Sequence, residues 1–265
     1  MENTNLTFEI LMSCMNQKDF SLTDQSNIHS DIVVVNQCDR DEIIEEVKGE
    51  SHRRMVCSTL RGLSRSRNLA MECAKADIVL FADDDEVFVD DVKKIVLQAF
   101  EETGADIIAF DLYNYAKSLK KQVHKLHLFE TLKVSSCQIA CRRDAIVKNE
   151  IMFDVNLGAG TPSGSGEENK FLWDAYKAGL SIYYYPAYIA TLNGNESTWF
   201  EGFNKAYFFK RGKITSYYMG KVLSLVYAGY FLITKHHLYK QECSFMEAFR
   251  SLMKGIRSEK NFGDI

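Results

Sequence analysis

Apolar runs alternate with polar, helix-forming stretches over the first two thirds of the chain. Phe8–Met12 reads as a first strand and leads into the polar turn Asn16-Gln17-Lys18-Asp19. Ile32–Val35 is a second strand, wholly apolar and β-branched, and Met55–Cys57 a short third. Asp41–Val47 is given to a short helix between them. Ser64 reads as the N-cap of a helix over Arg65–Ala74, where Leu69/Cys73 and Ala70/Ala74 recur at i, i+4. Ile78–Ala82 is the next strand, Asp90–Glu102 a helix stopped by Gly104, and Ile107–Phe110 another strand. Gln138–Cys141 reads as a strand. The glycine-rich stretch 156–166 opens a helix from Glu167 or Glu168 to Lys177, and Ser181–Tyr185 is a strand ended by Pro186. Strands alternating with helices predict an α/β fold, a mostly parallel sheet flanked by helices. After Trp199 the pattern is helical to the end. Ile214–Thr234 carries a single charge, Lys221, but its serines, glycines and tyrosines suit a buried or interfacial helix better than a bilayer span.

Charge changes this picture in two places. Asp83-Asp84-Asp85 follows the buried-strand pattern Ile78–Ala82 directly. Three like charges there are costly unless a cation meets them. Mg2+ and Mn2+ prefer carboxylate oxygens and share them with substrate phosphates, and open α/β sheets bind ligands at the carboxyl ends of their strands. An acidic turn capping the next helix is the competing reading. The second place is the C-terminus. Residues 203–265 hold 11 Lys/Arg and 4 Asp/Glu, a balance of +7 in a chain of net charge -4, so the first 202 residues carry -11. The overall acidity argues against a nucleic-acid binder, and the basic segment suggests an anionic partner such as a membrane surface.

The remaining composition is that of an ordinary globular protein of 265 residues, with enough length for one large domain and an appendage. Seven cysteines without a CxxC spacing predict reduced thiols, not a zinc site. The six histidines show no ligand spacing. No export signal is expected from Met-Glu-Asn-Thr-Asn, which predicts a cytoplasmic protein, peripheral on the inner face of the membrane through its basic tail.

Three segments together resemble the family 2 glycosyltransferases. They are Gly62-Leu63-Ser64-Arg65-Ser66-Arg67-Asn68, the strand Ile78–Ala82 with Asp83-Asp84-Asp85, and Gly166-Glu167-Glu168 followed by Lys177–Pro186. The order agrees over roughly residues 8 to 190, with the closest flavour that of bacterial capsule, exopolysaccharide or O-antigen enzymes. The resemblance implies a GT-A fold over residues 1–200, its nucleotide-sugar half about 1–110 and its acceptor half about 111–200, with a helical basic extension over 201–265. It implies an inverting, metal-dependent hexosyl transfer from a nucleotide-sugar donor, UDP-linked, to a saccharide or lipid-linked saccharide. Asp85 is then the Mn2+ or Mg2+ ligand and Asp83 contacts the metal shell or the ribose. Glu168 is the general base, with Glu167 as the alternative. Asn16, Asn36, Asp39, Arg67 and Asn68 are the further candidates for nucleotide contact. For Asn68 support of a loop, and for Arg67 a surface ion pair, are the rival readings.

Departures from the family pattern bear on the nucleotide and the metal. The second strand ends in Asn36-Gln37-Cys38-Asp39 in place of an acidic pair and Gly-Ser, and Asn193, Gly194 and Asn195 stand where relatives often place a histidine before Ser197-Thr198. Two other functions stay open. A sugar nucleotidyltransferase has a related fold, but Phe8–Phe20 lacks the glycines of its phosphate loop. A non-catalytic nucleotide- or sugar-binding partner on the same scaffold is the reading from another class.

Overall fold

The first strand, β1 (Phe8–Met15), is apolar at nearly every position because both of its faces are covered. A computed structural model describes residues 6–115, 119–193 and 202–258. After β1 come α1 (Ser21–Gln25), β2 (Asp31–Gln37), β3 (Glu42–Lys48), β4 (Ser51–Ser58) and α2 (Leu63–Cys73). Next are β5 (Ile78–Asp83), β6 (Glu86–Phe88), α3 (Val92–Thr103), β7 (Ile107–Tyr113) and β8 (His124–Lys125). Then follow β9 (Ile139–Arg142), α4 (Arg143–Lys148), α5 (Glu167–Lys177) and β10 (Ile182–Leu192).

Among the described residues the strands form one sheet in the order β3-β4-β2-β1-β5-β9-β7-β10-β6, with β8 on β10. The run β4-β2-β1-β5 is parallel throughout. Beyond β5 the short strand β9 enters antiparallel, between β5 and β7. Alternate residues serve the two faces. In β5, Ile78, Leu80 and Ala82 join the core on one side, and Val79 and Phe81 the core on the other.

Three sequence expectations are corrected. Residues 42–48 form strand β3, not a helix. The segment is short for an independent helix, and as an edge strand it lays Glu45 and Glu46 opposite Arg54 and Arg53, with ion pairs of 2.7 and 3.3 Å. Ser64 does not cap α2. The helix starts from Gly62 at φ 114°, and the Ser64 hydroxyl donates to the Leu157 carbonyl at 2.7 Å. Pro186 does not end β10, which continues past it with register shifts between Tyr184, Tyr188 and Ala190. A residue without an N–H is tolerated where the ladder is interrupted.

The chain divides into two compact units. The first holds residues 1–160 and 167–194, and with them the sheet. The second holds residues 161–166 and 195–265. Within it, α6 (Lys205–Thr234) is interrupted at Gly220, whose φ of 77° and ψ of 166° are not helical, and is followed by α7 (His236–Tyr239) and α8 (Phe245–Arg257). A Cβ on Gly212 would lie 2.3 Å from the Leu252 carbonyl oxygen, and one on Gly255 2.1 Å from that of Phe209. Only glycine lets α6 and α8 approach so closely. Among the described residues no helix is long and apolar enough to cross a membrane. Trp199 and the segment 194–201 lie outside the described residues.

Candidate active site

The parallel strands β1, β2 and β5 end at one edge of the sheet, where Ser13 pairs with Asp83 and Met15 with Gln37. Asp83 is the last residue of β5. Asp84 and Asp85 make the turn into β6, and the Asn193 N–H donates to the Asp85 carbonyl at 2.9 Å. The Asp83 N–H donates to Glu86 Oε2 at 2.8 Å. Glu86 is buried, and its other carboxylate oxygen has no hydrogen-bond partner. Burial first, then the charges of Asp83 and Asp85, push its carboxyl well above the usual range. The carboxyls of Asp84 and Asp85 are also raised, by desolvation and then by the charge of Asp83. Four consecutive acids thus repel one another at this strand end.

The cation that meets them is Arg67, in the second turn of α2. The Gly62 N–H donates to Gln37 Oε1 at 2.8 Å and the Leu63 N–H to the Ala159 carbonyl at 3.1 Å. So anchored, α2 carries the Arg67 guanidinium beneath the sheet edge, where it is 1% exposed. Nη2 donates to Asp83 Oδ1 at 2.7 Å and to Ser136 Oγ at 2.6 Å, and Nη1 donates to Glu167 Oε1 at 3.0 Å. The Phe153 ring centre lies 5.4 Å from the guanidinium carbon. Arg67 is therefore no surface ion pair. Nor is it free for a nucleotide, because its planar fork already binds two carboxylates. It is the tie between the acidic strand end and the start of α5.

At that second corner Gly158 lies against Glu167. Gly158 sits at φ +97°, and a Cβ there would lie 3.0 Å from the Glu167 carboxyl carbon and 3.1 Å from Ser64 Oγ. Glu167 is buried, and its Oε2 has no hydrogen-bond partner. Burial, and then the charge of Glu168, raise its carboxyl to about 8 against the opposing pull of Arg67. Glu168 stands next to it and is partly exposed.

The other predicted residues separate into two groups. Asn36 is fully buried; its amide donates to the Gln17 carbonyl at 2.7 Å and accepts from the Gln17 N–H at 2.9 Å. It fastens the loop after β1 and has no surface to offer a nucleotide. Asn68 brackets Phe153 in the same way, with 2.9 Å bonds to its backbone N–H and carbonyl, which favours the loop-support reading. Asn16, at φ 55°, and Asp39 are exposed. Asp39 pairs with Arg61 at 2.6 Å. Glu86, Gln37 and Ser136 are the residues that sequence reasoning missed. Glu86 adjoins the aspartates and could have been read with them. Ser136 lies remote in sequence and carries no local signal.

The oxygen-only character of the strand end suits a hard cation. Among the described residues no three His, Cys, Asp or Glu side chains converge as a ready metal cage. Mg2+ is commonly held by one or two carboxylates with the remaining ligands from phosphate and water. Asp85 has the exposed carboxylate for this role, and Asp83 has one oxygen committed to Arg67. Residues 194–198, where relatives often carry a histidine, lie outside the described residues.

Residues 20–150 match the family model for glycosyl transferase family 2. A curated Haemophilus influenzae protein named an uncharacterized glycosyltransferase is 29% identical over 83 residues, which are 31% of this chain and 28% of that protein. Among solved structures, Staphylococcus aureus TarS 1–349 with UDP-GlcNAc superposes with a TM-score of 0.59 at 16% identity, over 79% of this chain and 66% of that one. The TarS complex with UDP gives 0.62 at 14% identity, over 95% and 81%. A mannosyltransferase from Pyrobaculum calidifontis, with GDP-Man and Mn2+, gives 0.51 at 12% identity, over 93% and 73%. At these identities the structural likeness is one of fold, and it is the GT-A type of mixed sheet flanked by helices.

Proposed function

We propose that this chain, which matches the family 2 glycosyltransferase model over residues 20–150, moves a sugar from a nucleoside diphosphate to a saccharide or lipid-linked saccharide hydroxyl in polysaccharide synthesis. The observation that carries this reading is the Arg67 fork, which ties the acidic end of β5 to the start of α5. Donor and acceptor chemistry need those two corners side by side. TarS structures hold UDP and UDP-GlcNAc, which supports a UDP-linked donor here.

Asp85, with the free oxygen of Asp83, would hold Mn2+ or Mg2+; the mannosyltransferase neighbour with Mn2+ supports that choice. Bound there, the cation would neutralise charge on the departing diphosphate. Asn16 and Asp39, exposed at the strand ends, are the candidates for contact with the nucleoside. Glu168 takes the acceptor proton as the hydroxyl attacks, in a single displacement that inverts the anomeric centre. Glu167 is the poorer base, because one of its oxygens is held by Arg67 and the other is buried behind Gly158. The basic C-terminal helices would hold the enzyme at the inner face of the cell membrane.

The test is calorimetry of the full chain with UDP and Mn2+, followed by a screen of nucleotide sugars for metal-dependent hydrolysis. Metal-dependent UDP binding with turnover of at least one sugar is expected. Binding without turnover of any donor would favour the non-catalytic reading. No binding of any nucleotide would end the transferase reading.

A further inference from the structure

Helix α8 carries two stripes that the transferase chemistry does not use. Phe245, Phe249 and Met253 recur every fourth residue, and Arg250, Lys254 and Arg257 follow at i, i+4 and i+7 beside them. Phe245 and Phe249 are 44% and 42% exposed. Arg250, Lys254 and Arg257 are exposed too, and among the described residues none of them makes an ion pair. The acidic residue of the helix, Glu247, is already taken by Lys205 at 2.8 Å.

All of the stripe residues but Phe245, together with Phe209 and Ser258, line a groove of about 600 Å3 within the second unit. Phe209, Phe249 and Met253 give it apolar surface, Arg250, Lys254 and Arg257 give it charge, and among the described residues no carboxylate lines it. The close approach of α6 and α8 at Gly212 and Gly255 brings Phe209 of one helix under the cations of the other, with Lys254 Nζ 6.0 Å from the Phe209 ring centre. Apolar surface beside three clustered cations fits a ligand with an anionic head and an apolar body. A neutral polysaccharide would leave the cations unmatched, and a free phosphate would leave the rings uncovered.

We infer that this face of α8 is the membrane-docking site of the chain: Arg250, Lys254 and Arg257 take the phosphates of anionic phospholipid headgroups, and the exposed Phe249 with Met253 beside it enters the acyl boundary. The inference rests on the membrane partner proposed above and gives it a place; it does not depend on the sugar chemistry. Basic amphipathic helices with exposed aromatic residues bind membrane surfaces in this manner.

The experiment is sedimentation of the full chain with phosphatidylcholine vesicles, with and without phosphatidylglycerol, at low and high salt. Wild type should bind only the anionic vesicles, more weakly as salt rises. The triple variant Arg250→Gln/Lys254→Gln/Arg257→Gln should bind roughly 100-fold more weakly, from about 1 kcal/mol per cation near an anionic surface. Phe249→Ser should weaken binding at both salt concentrations. A control with Lys93, Lys94 and Lys148 changed to Gln removes three exposed cations from the first unit and should bind as wild type does. If control and groove variants weaken equally, or if the groove variant binds normally, this face of α8 is not the docking site, although the membrane partner survives. If wild type ignores anionic vesicles, or binds a soluble polyanion in their place, the membrane partner falls as well. Donor hydrolysis by the same samples reads the transferase separately.

Discussion

The two acidic corners of the first unit, residues 83–86 and 167–168, share a plan and differ in what surrounds it. In each, one carboxylate turns inward to Arg67 and its neighbour remains open to solvent: Asp83 beside Asp85, Glu167 beside Glu168. The strand-end corner piles up four acids, and desolvation first, then the charge of Asp83, raises the carboxyls of Asp84, Asp85 and Glu86. The helix-end corner holds two, and its strain comes from burying Glu167 against Gly158. Crowded, partly exposed acids attract a cation. A buried acid beside an open one is a means of positioning. One guanidinium serves both corners because its donors are fixed in a plane, so the distance between the corners is set by covalent geometry and not by loop packing.

Removing the shared cation is the strongest test of this contrast. Arg67→Met leaves Asp83 and Glu167 without their partner, and should cost about 3–5 kcal/mol of stability, as loss of one member of a buried pair does. Transfer activity should vanish with it. Urea unfolding checks the first part; an unchanged midpoint would mean that the corners are held together by something else.

Next in size is Glu168→Gln, which should lower kcat by roughly 10²–10⁴-fold with donor binding intact and stability within about 0.5 kcal/mol of wild type. Asp85→Asn should reduce metal-dependent turnover by roughly 10²–10³-fold, the scale of losing one charge-stabilising group. It should also leave the protein as stable or more so, because it relieves repulsion. A destabilised Asp85→Asn would show that the acid is structural.

Glu167→Gln is the finest probe and gives a pH signature. The folded-state carboxyl, raised to about 8, keeps its proton where the unfolded one, near about 4.3, has lost it. Through that window the folded state binds more protons than the unfolded state, so wild-type stability falls as pH rises. The variant lacks this term. Its stability relative to wild type should therefore improve from about pH 5 to pH 8 in thermal unfolding. A difference that does not move with pH would show that Arg67 keeps Glu167 ionised throughout.

The sequence by itself determined the strands β1, β2 and β5, because residues buried on both faces must be apolar throughout. It also determined that acids close β5 and open α5. Residues 42–48 were misread because the period of a charged edge strand is set by its cross-strand partners Arg53 and Arg54, which a local pattern does not contain. Only the tertiary structure decided what the polar candidates do. Asn36, Asn68 and Arg67 look alike in sequence, as polar residues near strand ends or helix starts. Folding turned the two amides onto the backbones of Gln17 and Phe153 and drove the guanidinium between two carboxylates contributed by distant segments. Apolar periodicity is a local property, readable one segment at a time; the partner of a buried charge is a long-range property, and it exists only once the chain has closed around it.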